Sequence, residues 1–255
     1  MSKSKLLNYR VSGTGHPVVF IHGFLESNTM WDQLLPHLSN VKAYCIELSG
    51  HGNSQSFEGN LTIEKLAYEV VSILKKEKID TFKIVGHSLG GYVALAILSI
   101  NSELICEQLI LLNSHPWEDS PIKKDERLQV AKIVQKNKSL FVKQAIPNLF
   151  QNPKEHKEAV EQLVQEALKM NSSDIATTTI AMRNRPSYEN IIIKNNERSV
   201  IIQGEFDRLI PAQKMEIFCT KNNLQFINVK KAGHMVHFEQ KETLIKILKR
   251  LLNCD

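Results

Sequence analysis

Cysteine is scarce: Cys45, Cys106, Cys219 and Cys254 are scattered through 255 residues. None forms C-x-x-C, and none stands at a zinc-like spacing from a histidine. Cys45 and Cys106 lie in or beside apolar runs and read as buried thiols. No apolar run approaches the length of a membrane span. The start, MSKSKLLNYR, carries positive charge but has no apolar core behind it, unlike a secretory signal. A reduced, soluble, cytoplasmic protein is expected. Charge of one sign is lacking as well. The net charge is only +5, and the lysines are interleaved with Glu and Asp. That is a solvated surface, not a nucleic-acid footprint. Lys136–Asn137–Lys138 is the one dense basic patch and is too short to carry an argument. Long internal repeats and low-complexity linkers are absent.

What is present is ordinary globular composition, 42% hydrophobic and 23% charged. A chain of this size buries enough surface to fold as one large domain, or one domain with an insertion, without covalent staples. Strand-like and helix-like segments alternate in its first part. PVVFIH (17–22), VKAYCIEL (41–48), TFKIVG (81–86) and LICEQLILLN (104–113) read as strands. Residues 28–38, 61–76 and 91–100 have helical spacing. In the second of these, Ile63, Leu66, Ala67, Val70 and Ile73 share one stripe, and Thr62 fits the N-cap. Such alternation predicts βαβ units and a largely parallel sheet covered on both faces. From His115 to Pro186 the pattern changes to helix after helix, with joints at Pro147 and Pro153. Alternation resumes with a strand at 198–204, a helix at 211–221, a strand at 224–229 and a helix at 239–252. The expected organisation is therefore a core of residues 1–114 and 187–255, with a helical cap, 115–186, inserted after the strand 104–113.

The strand 81–86 runs into GHSLGG (86–91) and then a helix. This is G-x-S-x-G between strand and helix, where a sharp, strained turn lifts the serine clear of the sheet at a helix N-terminus. The pattern is short, and an idle serine in a structural turn is its bland reading. The rest of a catalytic set decides against that. A serine nucleophile needs a base within hydrogen-bond reach and donors for a developing oxyanion. IHGF (21–24) follows the first strand of the sheet, so the N–H groups of Phe24 and Leu89 are the candidate donors; a plain His-Gly turn is the alternative. Asp207 falls just past the strand 198–204, with Glu205 as competitor. His234, in AGHMVHFEQ (232–240), follows the strand 224–229. Parallel strands deliver these ends to one rim. The order Ser88, Asp207, His234 is that of an α/β-hydrolase.

The sequence resembles the α/β-hydrolase superfamily, in the branch of small, capped bacterial cytoplasmic serine esterases. The resemblance is carried by HPVVFIHGF, GHGNS (50–54), GHSLGG, GEFDRLIP (204–211) and AGHMVHFE, in that order. It covers nearly the whole chain outside the cap. It implies the α/β-hydrolase fold, with Ser88 as nucleophile, His234 as base and then acid, Asp207 as its orienting partner, and Phe24 and Leu89 as oxyanion donors. Neither a cofactor nor a metal is implied. The expected partner is a small ester or acyl substrate, with no nucleic acid and no membrane. Hydrolysis of carboxylic esters or thioesters through an acyl-enzyme is the leading expectation. Acyl transfer, C–C cleavage and a slow-turnover small-molecule receptor are the alternatives. Serine at position 88 disfavours the dehalogenase and epoxide-hydrolase branches, which attack through a carboxylate. Glu47, Ser49 and Lys241 depart from the family's usual Asp, Pro or Arg, and Pro.

Several residues have plainer expected roles. His22, His51 and His87 are expected to be structural or rim residues. His237 is expected to pack or hydrogen-bond locally, with no third ligand apparent for a metal beside His234. SGTGHP (12–17) is expected to be a hairpin turn. Trp31, Phe141 and Phe150 read as packing residues, and Trp117 as packing or as a wall of an acyl pocket.

Overall fold

The computed structural model describes residues 7–100 and 103–253. Cys254 and the first six residues lie outside them. Seven strands form one sheet: β1 (Tyr9–Ser12), β2 (His16–Ile21), β3 (Val41–Ile46), β4 (Thr81–His87), β5 (Ile105–Leu112), β6 (Ser199–Gly204) and β7 (Gln225–Val229). Their order is β1-β3-β2-β4-β5-β6-β7; β1 is antiparallel to β3 and every other pairing is parallel. The segment 12–17 therefore turns the chain but makes no hairpin, because the strands it joins do not pair with each other.

Side-chain alternation explains why the sheet is covered twice. Successive residues of a strand point to opposite faces. Val19, Ile21, Tyr44, Ile46, Leu109 and Leu111 enter one core, while Val18, Phe20, Ala43, Cys45, Ile110 and Leu112 enter the other. The first core is closed by α1 (Ile63–Lys76), α2 (Leu89–Ser99) and, further along the chain, Ile192, Met215 and Cys219. All five residues of the predicted stripe on α1 are buried, and Thr62 Oγ1 accepts the Lys65 amide at 3.2 Å. Leu244, Leu248 and Leu252 of the last helix close the second core with Trp31 and Leu34. Residues 28–38 do not form one α-helix; they make 3₁₀ turns at Asn28–Trp31 and Leu35–His37. Pro36 lies within the second turn, where its ring and missing N–H prevent continuation of an α-helix from residue 28.

Between β5 and β6 lie α3 (Pro121–Ala145), α4 (Lys157–Lys169), α5 (Ser172–Asn184) and α6 (Glu189–Lys194). Asn137 breaks α3 with non-helical dihedrals, and its Oδ1 accepts the Leu140 amide at 3.0 Å, capping the second half. Lys138, from the short basic patch, donates to the carbonyls of Leu168 and Met170 at 2.7 and 2.5 Å, at the C-terminal end of α4. This block has its own apolar cluster, which also takes in Leu25 and Met235 from loops of the sheet domain. The remaining helices are α7 (Ala212–Lys221), α8 (Val236–Glu239) and α9 (Lys241–Leu252). Among the described residues, no helix is long and apolar enough to cross a membrane. Cys45, Cys106 and Cys219 are buried free thiols.

Candidate active site

The C-terminal ends of the parallel strands share one rim, because parallel strands all end on the same side of the sheet. At the tip of β4 the chain reverses into α2 through Ser88, whose φ is +48° and ψ −111°. Two glycines permit the crossing: a Cβ on Gly86 would meet the Gly90 carbonyl at 2.5 Å, and one on Gly90 the Ile21 carbonyl at 2.2 Å. The turn is pinned by Ser88 N–H donating to the Leu112 carbonyl (3.0 Å) and Ser114 Oγ–H donating to the Ser88 carbonyl (2.7 Å). Such a strained conformation persists only where its surroundings enforce it.

His234 Nε2 stands 2.9 Å from Ser88 Oγ, and His234 Nδ1 stands 2.7 Å from Asp207 Oδ2. With the carboxylate accepting from Nδ1–H, Nε2 is left to accept the serine proton. Asp207 is held by further donors: Asn113 Nδ2 (2.8 Å) and Gln203 Nε2 (2.7 Å) on Oδ2, and the Leu209 and Ile210 amides on Oδ1 (2.8 and 3.1 Å). Burial alone would raise the Asp207 pKa, but His234 and these donors outweigh it and bring it down to about 2. Glu205 turns away to Lys230 at 2.8 Å on the surface. The structure thus brings Ser88, His234 and Asp207 together and leaves Glu205 out. Phe24 lies in the loop after β2, and Leu89 takes the first position of α2. The backbone amides of both donate to no group among the described residues.

A second buried constellation lies directly behind the first, and it was missed in the sequence. Glu26 Oε2 accepts from the Gly23 amide (2.8 Å) and from His87 Nδ1 (2.7 Å). His87 Nε2 faces the His234 carbonyl at 3.1 Å. Both His87 partners are acceptors, so both its nitrogens carry protons and the ring is an imidazolium against a carboxylate. Burial opposes that charge, yet Glu26 raises the His87 pKa above its ordinary value. Glu26 is likewise penalised by burial, and His87 and His237 still hold it well below the usual carboxylate range. His237 packs on its neighbour Phe238, with ring centroids 4.5 Å apart, and its Nε2 lies 3.2 Å from Glu26 Oε1 in the loop after β2, without hydrogen-bond geometry. Ligand atoms of Glu26, His87 and His237 lie within 4.8 Å of one another, close enough for one ion. The hydrogen bond between Glu26 and His87 accounts for the closeness of those two.

This pair predicts a pH window for stability. Glu26, depressed from 4.5, contributes above that pH and loses its contribution as pH falls through its folded-state value. His87, raised from 6.5, contributes fully below that pH and loses its contribution as pH rises through its folded-state value. The Tm advantage of the wild type over the Glu26→Gln/His87→Gln double variant is expected to peak between the two values and shrink on the alkaline side. An advantage that grows steadily toward alkaline pH would contradict the ion pair.

The other rim histidines are neutral and structural. His22 Nδ1–H donates to the Gly23 carbonyl (2.7 Å) while Nε2 accepts the Leu48 amide (3.0 Å), joining the ends of β2 and β3. Burial, reinforced by His51, pushes its pKa down to about 3. Glu239 joins the inserted helices to the loop that carries His234: its carboxylate accepts the Gly233 amide (2.7 Å) and the Gln151 amide (2.6 Å). The His234 amide donates to the Leu149 carbonyl at 2.8 Å. Over the rim lies a cavity of about 670 Å³, lined by Ser88 and His234 on one side and by Val130, Phe141, Leu149 and Met182 of the inserted block on the other. Trp117 lines it as well, and Phe150 is fully buried. A concave, mostly apolar chamber with a few convergent polar groups is the usual form of a small-molecule site.

Comparison with known proteins bears on the fold and the family. The family model described as "alpha/beta hydrolase fold" matches residues 16–241. A putative esterase/lipase from Haemophilus influenzae is 25% identical over 99% of this chain and 90% of its own. A thermophilic esterase from Thermogutta terrifontis, solved with malate bound, superposes with a TM-score of 0.89 at 26% identity, covering 97% of this chain and 93% of that one. A karrikin insensitive 2 receptor from Petunia hybrida is 30% identical over 43% of this chain. The chain spans 42% of that receptor's length, and as little as 19% of other curated relatives it matches.

Proposed function

We propose that this chain, which belongs to the alpha/beta hydrolase family, hydrolyses small carboxylic esters or thioesters through an acyl-enzyme on Ser88. The observation that carries this is the unbroken line Asp207–His234–Ser88, at 2.7 and 2.9 Å. Ser88 Oγ attacks the ester carbonyl while His234 Nε2 takes its proton, and Asp207 stabilises the imidazolium that results. Phe24 and Leu89 donate their amides to the oxyanion. His234 returns the proton to the leaving alcohol or thiol as the tetrahedral intermediate collapses. Water then attacks the acyl group with His234 as base; His234 returns that proton to Ser88 Oγ as the acyl–oxygen bond breaks, and the carboxylic acid leaves. The inserted block 115–186 acts as the cap: its helices wall the cavity, and Leu149 and Gln151 hold the loop that carries His234.

The test pairs a series of p-nitrophenyl esters of rising acyl length with labelling by a fluorophosphonate. Turnover should appear on short to medium chains, and the label should be found on Ser88, with activity lost in proportion to labelling. Tight binding of small ligands with no turnover of any ester would favour the receptor reading instead.

A further inference from the structure

Charges on the cavity wall are unevenly matched. Of the carboxylates there, Glu26 is held by His87, Glu118 lies 2.6 Å from Lys124, and Glu126 lies 2.8 Å from Lys123. Asp119 alone serves two guanidiniums, Arg127 and the fully buried Arg185. Lys214 and Arg208 also line the cavity and form no ion pair among the described residues. An unpaired lysine on an exposed helix ordinarily extends into water and means nothing. Lys214, on α7, does otherwise: its ammonium rests 4.1 Å from the centroid of the Trp117 ring. Trp117 in turn stacks on His115 at 5.1 Å, and the Arg185 guanidinium lies 4.0 Å from the centroid of the adjacent Tyr92 ring.

One stretch of wall, His115 to Asp119, is therefore surrounded by Lys214, Arg127 and Arg185, with only Asp119 to answer them. His115 registers the imbalance. Its Nδ1 accepts the Trp117 amide (3.2 Å) and its Nε2 lies 3.0 Å from Tyr92 Oη. Burial first, then Arg185, Arg127 and Lys214, push its pKa down to about 3 against the opposing pull of Asp119. The ring is neutral and adds no negative charge. A ligand that filled the apolar chamber and ended in an anion here would complete the pairing.

We propose that the ester hydrolysed at this site carries a carboxylate, received at the Trp117 wall by Lys214 and Arg127. This rests on the esterase reading above, which the experiment separates from it. Binding of ethyl hexanoate, monoethyl adipate and carboxymethyl hexanoate to the Ser88→Ala protein is measured by calorimetry. The three share acyl length, and the last two place the carboxylate on the acyl and the alcohol side. Turnover of the same esters by the wild type is followed by acid release. One of the two anionic esters should bind about tenfold more tightly than the neutral one, with kcat/KM moving the same way. Lys214→Glu should remove or reverse that ratio, and Arg127→Gln should reduce it. Lys214 is exposed, so its variant should fold even if the Arg127 variant does not. Equal binding of all three esters, or a ratio indifferent to Lys214→Glu, would overturn the proposal. Hydrolysis without charge preference removes the anion site and leaves the esterase standing; anion binding without hydrolysis does the reverse.

Discussion

Replacing His234 by alanine is expected to lower kcat on p-nitrophenyl esters by a factor on the order of 10⁶, the scale of a lost triad base. No neighbour can substitute. The closest imidazole, His87, packs with ring centroids 5.1 Å away, but both its nitrogens are already committed to Glu26 and the His234 carbonyl. His237 faces Glu26, and burial lowers its pKa despite that carboxylate. His237→Ala should therefore keep most of the turnover and show its effect in Tm, since it strips a contact from a buried carboxylate. Initial rates and thermal melts on the two variants separate base from support. Loss of turnover in His237→Ala with His234→Ala active would reverse the assignment.

Ser88, Asp207 and His234 were legible because each stands in the first few residues after a strand-like segment, and because parallel strands carry such positions to a common rim. Glu26 was not. It lies within the HGFLES stretch read only for its backbone amides, and its partners His87 and His237 come from other loops. Charge pairing across such distances leaves no periodic trace. Asn113 ends the strand-like segment 104–113 without any motif to mark it, and its amide holds Asp207 at 2.8 Å. The first strand, Tyr9–Ser12, escaped for another reason. It is a four-residue edge strand, half-buried to exposed, and offers no apolar run. The inserted helices were read as helices, but the kink at Asn137 depends on a side-chain cap that helical periodicity does not encode.

The Asp207→Asn variant carries the second large expectation, a drop in kcat of about 10⁴-fold with KM little changed. The asparagine fits the same space, so the loss must come from hydrogen bonding. Asp207 is surrounded by donors on both oxygens: two backbone amides on one, and Asn113, Gln203 and His234 on the other. An amide side chain presents an NH₂ to one set in either orientation. Turned toward the backbone, it opposes the Leu209 and Ile210 N–H groups. Turned toward His234, it is accommodated only if Nδ1 gives up its proton and accepts, and if the Asn113 and Gln203 side-chain amides turn away. The proton then sits on Nε2 and faces Ser88 Oγ, so the base cannot take the serine proton. The Leu209 and Ile210 N–H groups are fixed in the backbone, whereas the His234 proton can move between its two nitrogens, which is why the tautomer and not the fold is expected to fail. Glu205→Gln is the control, since Glu205 pairs with Lys230 at the surface. A large kcat loss in Glu205→Gln, with Asp207→Asn active, would require a different acid for His234.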